Sequence, residues 1–331
     1  MRIAVVGAGF WATYQIAGWH EIPGVEIVGV ADPSPERAAR FGVPAYPDLD
    51  ALLDAQTPDL VDVLTPVETH APLVRAVAAR GLPVVCQKPM GTTFEEARGM
   101  VEACERADVP FFVNENWRFQ APLRRVEALL DEGAVGRPFR ARLQFSCSFP
   151  VFDNQPFLRT LDRFILTDIG SHVLDAARLL FGEASSLFCL TSRVTPGIAG
   201  EDVATVLMRM SGCEAVACEM SYASRLADEA FPQTYAVIEG SEGSVELRKD
   251  YRILSPRGEE TVAIPAYPWA DPAYALVHAS IVECQRAILD DLQHGLPSGL
   301  RGRENLRTVE LVFASYASAA REESVRLRSP D

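Results

Sequence analysis

The sequence contains no block of basic residues, no long apolar run and no closely spaced pair of cysteines. Its 331 residues include 45 acidic and 31 basic side chains, for a net charge of −14. Proteins that bind nucleic acids or anionic membranes need a basic surface, so the composition argues against both partners. No apolar stretch approaches the ~20 residues needed to cross a bilayer, which argues against a membrane-spanning protein.

The seven cysteines are scattered along the chain, and none belongs to a C-x-x-C pair. A zinc knuckle and a thioredoxin-type motif are therefore excluded, and no metal site is predicted. Isolated thiols are typical of a reducing compartment. The opening segment MRIAVVGAGF leads directly into a strand and lacks the apolar core of a signal peptide. A cytoplasmic location is therefore expected.

The first 119 residues alternate short apolar runs with helical segments. The apolar runs lie at 2–6, 25–32, 60–66, 82–89 and 109–116. Short, almost entirely apolar strands separated by helices are typical of a parallel sheet that is covered on both faces. Residues 1–119 are therefore predicted to form a doubly wound α/β domain of the Rossmann type.

The rest of the chain, 120–331, is predicted to form a separate α+β domain. Apolar and polar residues alternate in the segments 139–149, 203–210, 214–222 and 234–240. This alternation favours a large, open and predominantly antiparallel sheet with one buried and one exposed face. Long helical stretches near 272–294 and 303–322 close the chain.

The exposed face of that sheet is a candidate surface for self-association. Residues such as Val206, Met208 and Met210 would give it an apolar character. Contiguous apolar patches on a folded surface are typical of interfaces between subunits. We therefore expect a homodimer or homotetramer that is formed through the second domain.

A glycine-rich turn directly follows the first strand. Gly7, Gly9 and Ala12 have the spacing G-x-G-x-x-A, with Phe10 and Trp11 between the second and third of them. Gly7 allows the tight turn, Gly9 lets a pyrophosphate approach the backbone, and Ala12 lets the helix pack on the sheet. The N-terminus of that helix offers amide groups and a positive dipole end to phosphates. These residues predict a dinucleotide-binding site.

Asp32 and Arg37 bear on which dinucleotide binds. Asp32 ends the second strand, where a carboxylate accepts hydrogen bonds from the adenosine ribose hydroxyls. The 2′-phosphate of NADP would be repelled by that charge, so NAD is favoured over NADP. Arg37 is the residue that could reverse this preference, because a nearby guanidinium accommodates a 2′-phosphate.

Lys88 precedes Pro89 at the C-terminal end of the fourth apolar run. Ligands of open α/β sheets bind at such strand ends. The residue before a proline is held extended, and the bond between them can be cis. Lys88 is therefore a candidate for contacting a bound cofactor and substrate, although its location is equally compatible with a surface lysine.

A second candidate group lies in the segment Thr167–His172. Asp168 and His172 are four residues apart, so a helix places them on one face, and Asp168 can also cap that helix. Gly170 costs up to roughly 1 kcal/mol of helix stability against alanine, which is reasonable where another group must come close. A single histidine on such a helix is more often a packing residue, and Lys88 with the dinucleotide site is what favours a catalytic role.

Together these residues fit the oxidation of an alcohol. The reaction removes a hydride from carbon, which the cofactor accepts, and a proton from oxygen. Histidine is suited to accept that proton near neutral pH, which assigns the base to His172. The ammonium of Lys88 would stabilise the developing alkoxide. Asp168 would orient His172 or bind a second hydroxyl.

The motifs GAGFWA, LTPVETH, QKP and DIGSH, together with Asp32, resemble those of the Gfo/Idh/MocA oxidoreductases over essentially the whole chain. The resemblance implies that Lys88 is the catalytic lysine of the family's E-K-P motif and that Asp168 and His172 are its carboxylate and acid/base histidine. It also implies that two segments border the nicotinamide. These contain Thr65, Pro66 and His70, and Asn116 and Arg118.

One residue departs from the family pattern. Gln87 stands where the family usually has glutamate before the lysine. Glutamine can still hydrogen-bond a ribose hydroxyl, so Gln87 is retained as a cofactor contact. It brings no negative charge, however, which leaves the electrostatic environment of Lys88 open.

A narrower set of segments, VVCQKPM, VNENWRFQ and GEDVAT, is similar to bacterial members of the family that oxidise the C1 hemiacetal of D-apiose to a lactone with NAD. The candidate residues for selecting the sugar are Arg118, Arg142, Asn154, Gln155 and Arg163. Three alternatives stay open: an inositol or polyol dehydrogenase, a glycosidase that recycles the hydride of NAD, and a sensor that only binds NAD.

Overall fold

The computed structural model describes residues 1–327, except for the side chain of Asn154. Within this range the chain forms ten α-helices and fifteen β-strands. The helices are α1 Phe10–His20, α2 Pro35–Ala39, α3 Leu49–Ala55, α4 His70–Ala79, α5 Phe94–Arg106, α6 Ala121–Asp131, α7 Val151–Asn154, α8 Ser171–Phe181, α9 Ala275–His294 and α10 Gly302–Arg321. The strands are β1 Arg2–Val6, β2 Glu26–Ala31, β3 Ala45–Tyr46, β4 Leu60–Val63, β5 Val84–Gln87, β6 Phe111–Asn114, β7 Pro138–Ser146, β8 Ala184–Ser192, β9 Val203–Met210, β10 Ala215–Ser221, β11 Tyr235–Gly240, β12 Gly243–Arg248, β13 Arg252–Ser255, β14 Gly258–Thr261 and β15 Val325–Arg326.

The first compact unit comprises residues 1–116, 266–272 and 278–309. Its six strands form a parallel sheet in the order β3-β2-β1-β4-β5-β6. The strand order reverses between β1 and β4, as it does in doubly wound folds. The predicted Rossmann sheet is thereby confirmed, and the two-residue β3 is too short for an apolar pattern to reveal.

Residues of the C-terminal helices belong to this first unit, so a single division after residue 119 does not describe the chain. The Gln285 amide of α9 donates to the Gln15 side chain at 2.8 Å and to its backbone carbonyl at 2.9 Å. A Cβ at Gly18 would lie 2.5 Å from the Gln285 Oε1 atom. The two helices therefore meet at a glycine, and the contact packs α9 against α1 of the first unit.

A buried carboxylate lies in the middle of this sheet. Asp62 on β4 is fully buried and accepts hydrogen bonds from Trp19 Nε1 at 2.8 Å and from Asn114 Nδ2 at 3.2 Å. Burial raises the pKa of Asp62 to about 7, although both hydrogen bonds lower it. Among the described residues the Asn114 Oδ1 atom is buried without a hydrogen-bond partner.

Replacing Asp62 with asparagine is expected to stabilise the protein, and more so as the pH rises. The native state keeps the Asp62 proton up to about pH 7, whereas the unfolded chain loses it near 3.8. The wild type therefore loses stability as the pH rises through this window, on the order of 2 kcal/mol between pH 5 and pH 7. Both carboxylate oxygens of Asp62 face donors, so the amide nitrogen introduced in place of one of them donates to Asn114 Oδ1 once the Asn114 amide is flipped. Urea unfolding at several pH values measures the difference, and a gain in stability that is equal at all of them would contradict this account.

The exposed Asp50 of α3 offers a control for this substitution. Its carboxylate pairs with Arg80 at the surface, so an Asp50→Asn variant is expected to follow the wild type at each pH.

The second compact unit comprises residues 117–265, 273–277 and the described part of 310–331. Its nine-stranded sheet has the order β14-β13-β12-β11-β7-β10-β9-β8-β15. All neighbours are antiparallel except β7 and β10, which run parallel. The predicted, predominantly antiparallel sheet is confirmed. Helix α8 packs against β7 and β10, and the face that it covers is the buried one.

The prediction that Val206, Met208 and Met210 lie on the exposed face of this sheet is wrong. All three are buried in the core of the second unit. Residues alternate between the two faces, so the residues between them point outward, and Leu207 is 51% exposed. Leu190 of the neighbouring β8 is 58% exposed. The outer face of the sheet is therefore apolar at Leu190 and Leu207, and not at the three residues that were predicted.

All seven cysteines are buried, and none forms a disulfide among residues 1–327. No helix in the described part of the chain combines the length and the apolar character that crossing a membrane requires.

Candidate active site

The glycine turn after β1 has the geometry that a pyrophosphate site requires. Gly7 has φ +100°, and a Cβ there would lie 2.8 Å from the Leu64 backbone, so only glycine fits. At Gly9 the space is open, because no described atom lies within 4 Å of an added Cβ. Gly9 is the N-cap of α1, and no described side chain caps that helix. The turn therefore leaves room and amide donors for a phosphate group.

Two aromatic residues follow the glycines in the first turn of α1. Phe10 is exposed and Trp11 is partly exposed, and their rings meet edge to face at 5.4 Å. Ala12 is fully buried against the sheet, as the fingerprint predicts. Arg40 was not apparent from the fingerprint. Its Nη2 atom donates to the Gly9 carbonyl at 2.7 Å, which places a positive charge at the edge of the turn.

Asp32 joins the end of β2 to the glycine turn. Its Oδ2 atom accepts from the Ala8 amide at 2.9 Å, and its Oδ1 atom accepts from the Ser34 amide at 2.9 Å. Arg37 forms an ion pair with Oδ1 at 2.9 Å. Burial alone raises the pKa of Asp32, but these partners together bring it below its ordinary value. The carboxylate is ionised, and Oδ2 keeps a lone pair for a ribose hydroxyl.

The loop after β4 is tied to the segment around Lys88 by His70. The His70 Nε2 atom lies 2.8 Å from the Thr65 carbonyl, and Nδ1 lies 3.1 Å from the Pro89 carbonyl. The ring is buried, and burial lowers the pKa of His70. The structure therefore places His70 between two turns, with both nitrogens in contact with backbone, while Thr65 and Pro66 form the turn itself.

Gln87 ends β5, Lys88 follows it, and the Lys88–Pro89 bond is cis. The Gln87 Oε1 atom accepts a hydrogen bond from the Lys88 amide at 2.8 Å. A neutral amide oxygen thus accepts this hydrogen bond without the charge that a carboxylate would bring. Glutamine at this position therefore still holds the backbone from which the Lys88 side chain projects.

Asn116 begins the 3₁₀ turn Asn116–Phe119, which follows β6. Its Nδ2 atom donates to Ser280 Oγ of α9 at 2.6 Å, and the residue is buried. The side-chain oxygen of Asn116 is then the atom left for a ligand.

The segment that carries Asp168 differs from the predicted helix. Residues Leu166–Gly170 form a π-helical turn that leads into α8 at Ser171, so Asp168 lies inside the turn and does not cap α8. Single π turns are frequent at functional sites. A Cβ at Gly170 would lie 3.3 Å from the Met220 sulfur, which confirms that another group comes close there.

Two residues that the sequence pattern did not reveal hold this turn. Glu201 accepts hydrogen bonds from the amides of Phe164 at 3.3 Å and Leu166 at 3.2 Å, and Tyr316 donates to it at 2.8 Å. Tyr222 donates to Asp168 Oδ2 at 3.2 Å. The carboxylate of Asp168 is therefore held from the end of β10.

His172 lies in the first turn of α8 and is buried. The indole of Trp117 stacks on its imidazole, with ring centroids 4.5 Å apart and the two planes 4° from parallel. Phe145 of β7 lies 5.3 Å from the indole. Nothing in the local pattern around Trp117 signals this contact, because it joins residues that are distant in the chain.

Arg118 is buried in an ion pair with Asp175 of α8. Its Nε atom lies 2.7 Å from Oδ2, and Nη2 lies 3.1 Å from Oδ1. The two side chains are 8% and 1% exposed. A guanidinium held in this fork geometry is oriented by Asp175, which favours a structural role for Arg118 over the predicted contact with substrate.

The other predicted substrate residues are dispersed over the second unit. Arg142 points to the exposed face of β7, whereas Phe145 lies on the buried face next to the His172 stack, so the structure does not bring Arg142 to His172. Arg163 is exposed and lies over the rings of Phe313 and Tyr316. Gln155 follows α7 and is partly buried. The side chain of Asn154 lies outside the described residues.

Family models match both parts of the chain. Residues 1–115 match the oxidoreductase family with an NAD-binding Rossmann fold, and residues 123–246 match the GFO/IDH/MocA C-terminal domain. The chain belongs to the Gfo/Idh/MocA oxidoreductase family. As a member of this family the protein is an oxidoreductase with an NAD-binding domain.

The similarity of this Gfo/Idh/MocA protein to individual relatives extends over nearly the whole chain. It is 41% identical over 335 residues to a D-apiose dehydrogenase of Paraburkholderia graminis, covering 98% of this chain and 89% of that protein. It is 37% identical over 334 residues to a D-apiose dehydrogenase of Rhizobium rhizogenes, covering 98% and 97%. A crystal structure of an Agrobacterium radiobacter oxidoreductase in complex with NAD⁺, L-tartaric acid and magnesium has a TM-score of 0.95 at 36% identity, covering 98% of each chain.

The predicted catalytic residues of this Gfo/Idh/MocA protein are divided between its two units. Lys88 lies in the first unit, and Asp168 and His172 lie in the second. That they meet around one nicotinamide ring stays a prediction. Among residues 1–327 no group of three or more His, Cys, Asp or Glu side chains is arranged to hold a metal ion.

Proposed function

We propose that this protein oxidises the C1 hemiacetal of D-apiose to the corresponding lactone with NAD⁺. The supporting observation is the similarity to two D-apiose dehydrogenases over nearly the full chain, combined with the presence of Lys88, Asp168 and His172. A C1 hemiacetal carries both the hydrogen that leaves as hydride and the hydroxyl that loses a proton. Its oxidation gives a lactone directly.

In this proposal the glycine turn that binds the pyrophosphate and the catalytic side chains have distinct roles. The glycine turn, Asp32 and Thr65 bind NAD, and bound NAD⁺ supplies the hydride acceptor. His172 takes the proton of the C1 hydroxyl as general base. Lys88 lies at a strand end where ligands bind, and its ammonium stabilises negative charge on the reacting oxygen.

Asp168 is proposed to bind a second hydroxyl of the sugar. Tyr222 and the π turn hold its carboxylate, so Asp168 is oriented before any ligand arrives. A carboxylate accepts hydrogen bonds only, which suits it to a neighbouring sugar hydroxyl. The aldose is thereby fixed with C1 next to His172.

A substrate panel tests the proposed function. Purified protein is mixed with NAD⁺ or NADP⁺ and with D-apiose, D-xylose, D-glucose or myo-inositol, and the reduced cofactor is followed by its absorbance. We expect the highest kcat/KM with D-apiose and NAD⁺. Hydroxylamine trapping of the product is expected to detect a lactone.

The alternatives give different results in the same assay. A polyol dehydrogenase would prefer myo-inositol, and a glycosidase that recycles the hydride would hydrolyse glycosides without net NADH. A sensor would bind NAD⁺ and turn over none of the sugars. A preference for NADP⁺ would show that Arg37 outweighs Asp32.

We also propose that a homodimer or homotetramer forms through the outer face of the nine-stranded sheet. Leu190 and Leu207 are exposed there, and Phe188 pairs with Leu207 across β8 and β9. They take the place on the outer face that the sequence analysis had assigned to Val206, Met208 and Met210. An apolar patch on an open sheet favours burial against a second subunit.

A further inference from the structure

Trp117 and His172 form a nearly parallel ring stack in the second unit. The two ring planes are 4° from parallel, with centroids 4.5 Å apart. Trp117 is 5% exposed and His172 is 3% exposed. The indole therefore covers one face of the imidazole and shields that face from water.

The indole is held in place from two directions. The next residue, Arg118, is anchored to Asp175 on α8, the same helix that carries His172. On its other side the ring meets Phe145 at 5.3 Å. The indole is therefore held through Arg118 to α8 and through Phe145 to β7, so the stack is built from contacts within the second unit.

We propose that Trp117 is a positioning residue that orients the His172 imidazole and stabilises its protonated form during catalysis. The inference rests on the proposed function, because it assigns Trp117 a role in the proton transfer to His172. It names a residue outside the lysine, aspartate and histidine motifs that identify the family.

The charge balance of the reaction shows why an indole helps at this point. The C1–H bond breaks and its electron pair goes to NAD⁺ as hydride. The O–H bond breaks and its proton goes to an imidazole nitrogen, while the C1–O bond becomes a carbonyl. His172 is neutral before this step and cationic after it. An aromatic face attracts a cation, by about 0.5–2 kcal/mol for indole at partly to fully desolvated sites.

Other charged groups surround His172. Asp168 precedes it by one turn, and Asp175 follows it on α8, paired with Arg118 and Arg178. Further ionisable groups lie on the elements packed around α8, namely Tyr222 at the end of β10 and Glu127 on α6. The Asp175 charge is thus balanced by two arginines, whereas the indole acts on the imidazole ring itself.

Titration of His172 by NMR tests the inference without substrate or cofactor. The chain has five histidines, and a His172→Asn variant identifies the His172 signal. In Trp117→Leu the pKa of His172 is expected to fall by about half a unit to one unit relative to wild type. Trp117→Phe keeps a ring and is expected to show a smaller shift, and its milder change keeps the test valid if the leucine variant fails to fold.

The pH profile of turnover gives the second measurement. Since a neutral base is required, kcat/KM decreases below the pKa of His172, and this acidic limb should move to lower pH in both variants. At the plateau kcat/KM is expected to fall by roughly 3- to 30-fold. Trp269→Phe is the matched control: it makes the same substitution at an indole that stacks on Tyr267 in the first unit, so the acidic limb should stay in place.

The possible outcomes separate this inference from the proposed function. A slower Trp117→Phe enzyme with an unchanged His172 pKa and an unchanged acidic limb would reduce Trp117 to a packing residue and overturn the inference. A shifted pKa in a protein that oxidises none of the sugars would support the stack and contradict the proposed function.

Discussion

Replacing Lys88 with methionine is expected to lower kcat by about 10²- to 10³-fold, the usual effect of removing one group that stabilises an oxyanion. Methionine keeps the length of the side chain and removes its charge. The affinity for NAD is expected to change little, because the predicted cofactor contacts of the glycine turn and Asp32 lie in a part of the first unit that Asp32 and Ala8 hold together without Lys88. Steady-state kinetics measures kcat, and calorimetry measures NAD binding.

The chain provides a matched control for this substitution. Lys249 is the other of its two lysines and pairs with Asp228 at 2.8 Å on the surface of the second unit. Lys249→Met is expected to keep wild-type turnover. If the kcat of Lys88→Met were near normal and equal to that of Lys249→Met, the proposed role of Lys88 in the mechanism would be contradicted.

Replacing Arg118 with methionine is expected to destabilise the protein by about 3–5 kcal/mol, as is typical when one partner of a buried ion pair is removed. The reason is that Asp175, at 1% exposure, would lose the fork that satisfies it. Arg178, at 3.6 Å from the same carboxylate, compensates only in part. Urea unfolding measures the loss.

Two further variants test this explanation. Arg118→Met combined with Asp175→Leu is expected to regain most of the lost stability, because no unpaired charge then remains buried. Arg140→Met removes an arginine from an exposed pair with Glu239 and is expected to leave the unfolding midpoint nearly unchanged. If Arg118 contacts substrate instead, its variant would show a raised KM at undiminished stability.

The order of the elements and the cofactor site could be predicted from local patterns. A glycine turn between β1 and α1, with Asp32 at the end of β2, indicates a dinucleotide-binding site, and recognising it requires only a few neighbouring residues. The structure agrees at each of these positions, since Gly7 has no room for a Cβ and Gly9 faces open space. The same locality explains why Lys88 before a proline could be recognised.

The direction in which the candidate substrate residues of the second unit point could not be predicted in this way. Arg142 and Arg163 are polar residues in plausible segments, but their direction depends on the face of β7 and on the packing of α10. Trp117 and Glu201 were missed for the same reason, because their partners lie in other elements. The π turn at Asp168 depends on the Glu201 and Tyr222 contacts as well.

By itself the sequence determined the two kinds of sheet and the glycine turn of the NAD-binding domain, because periodicity and short motifs encode them within a few residues, and it supplied the candidates for the catalytic side chains. Only the tertiary structure decided which face of the second sheet is buried, since alternation defines two faces without saying which one α8 covers. It likewise decided that Trp117 lies on His172 and that Arg118 is bound to Asp175. Such contacts join residues more than fifty positions apart, and only the packing of whole elements brings them together.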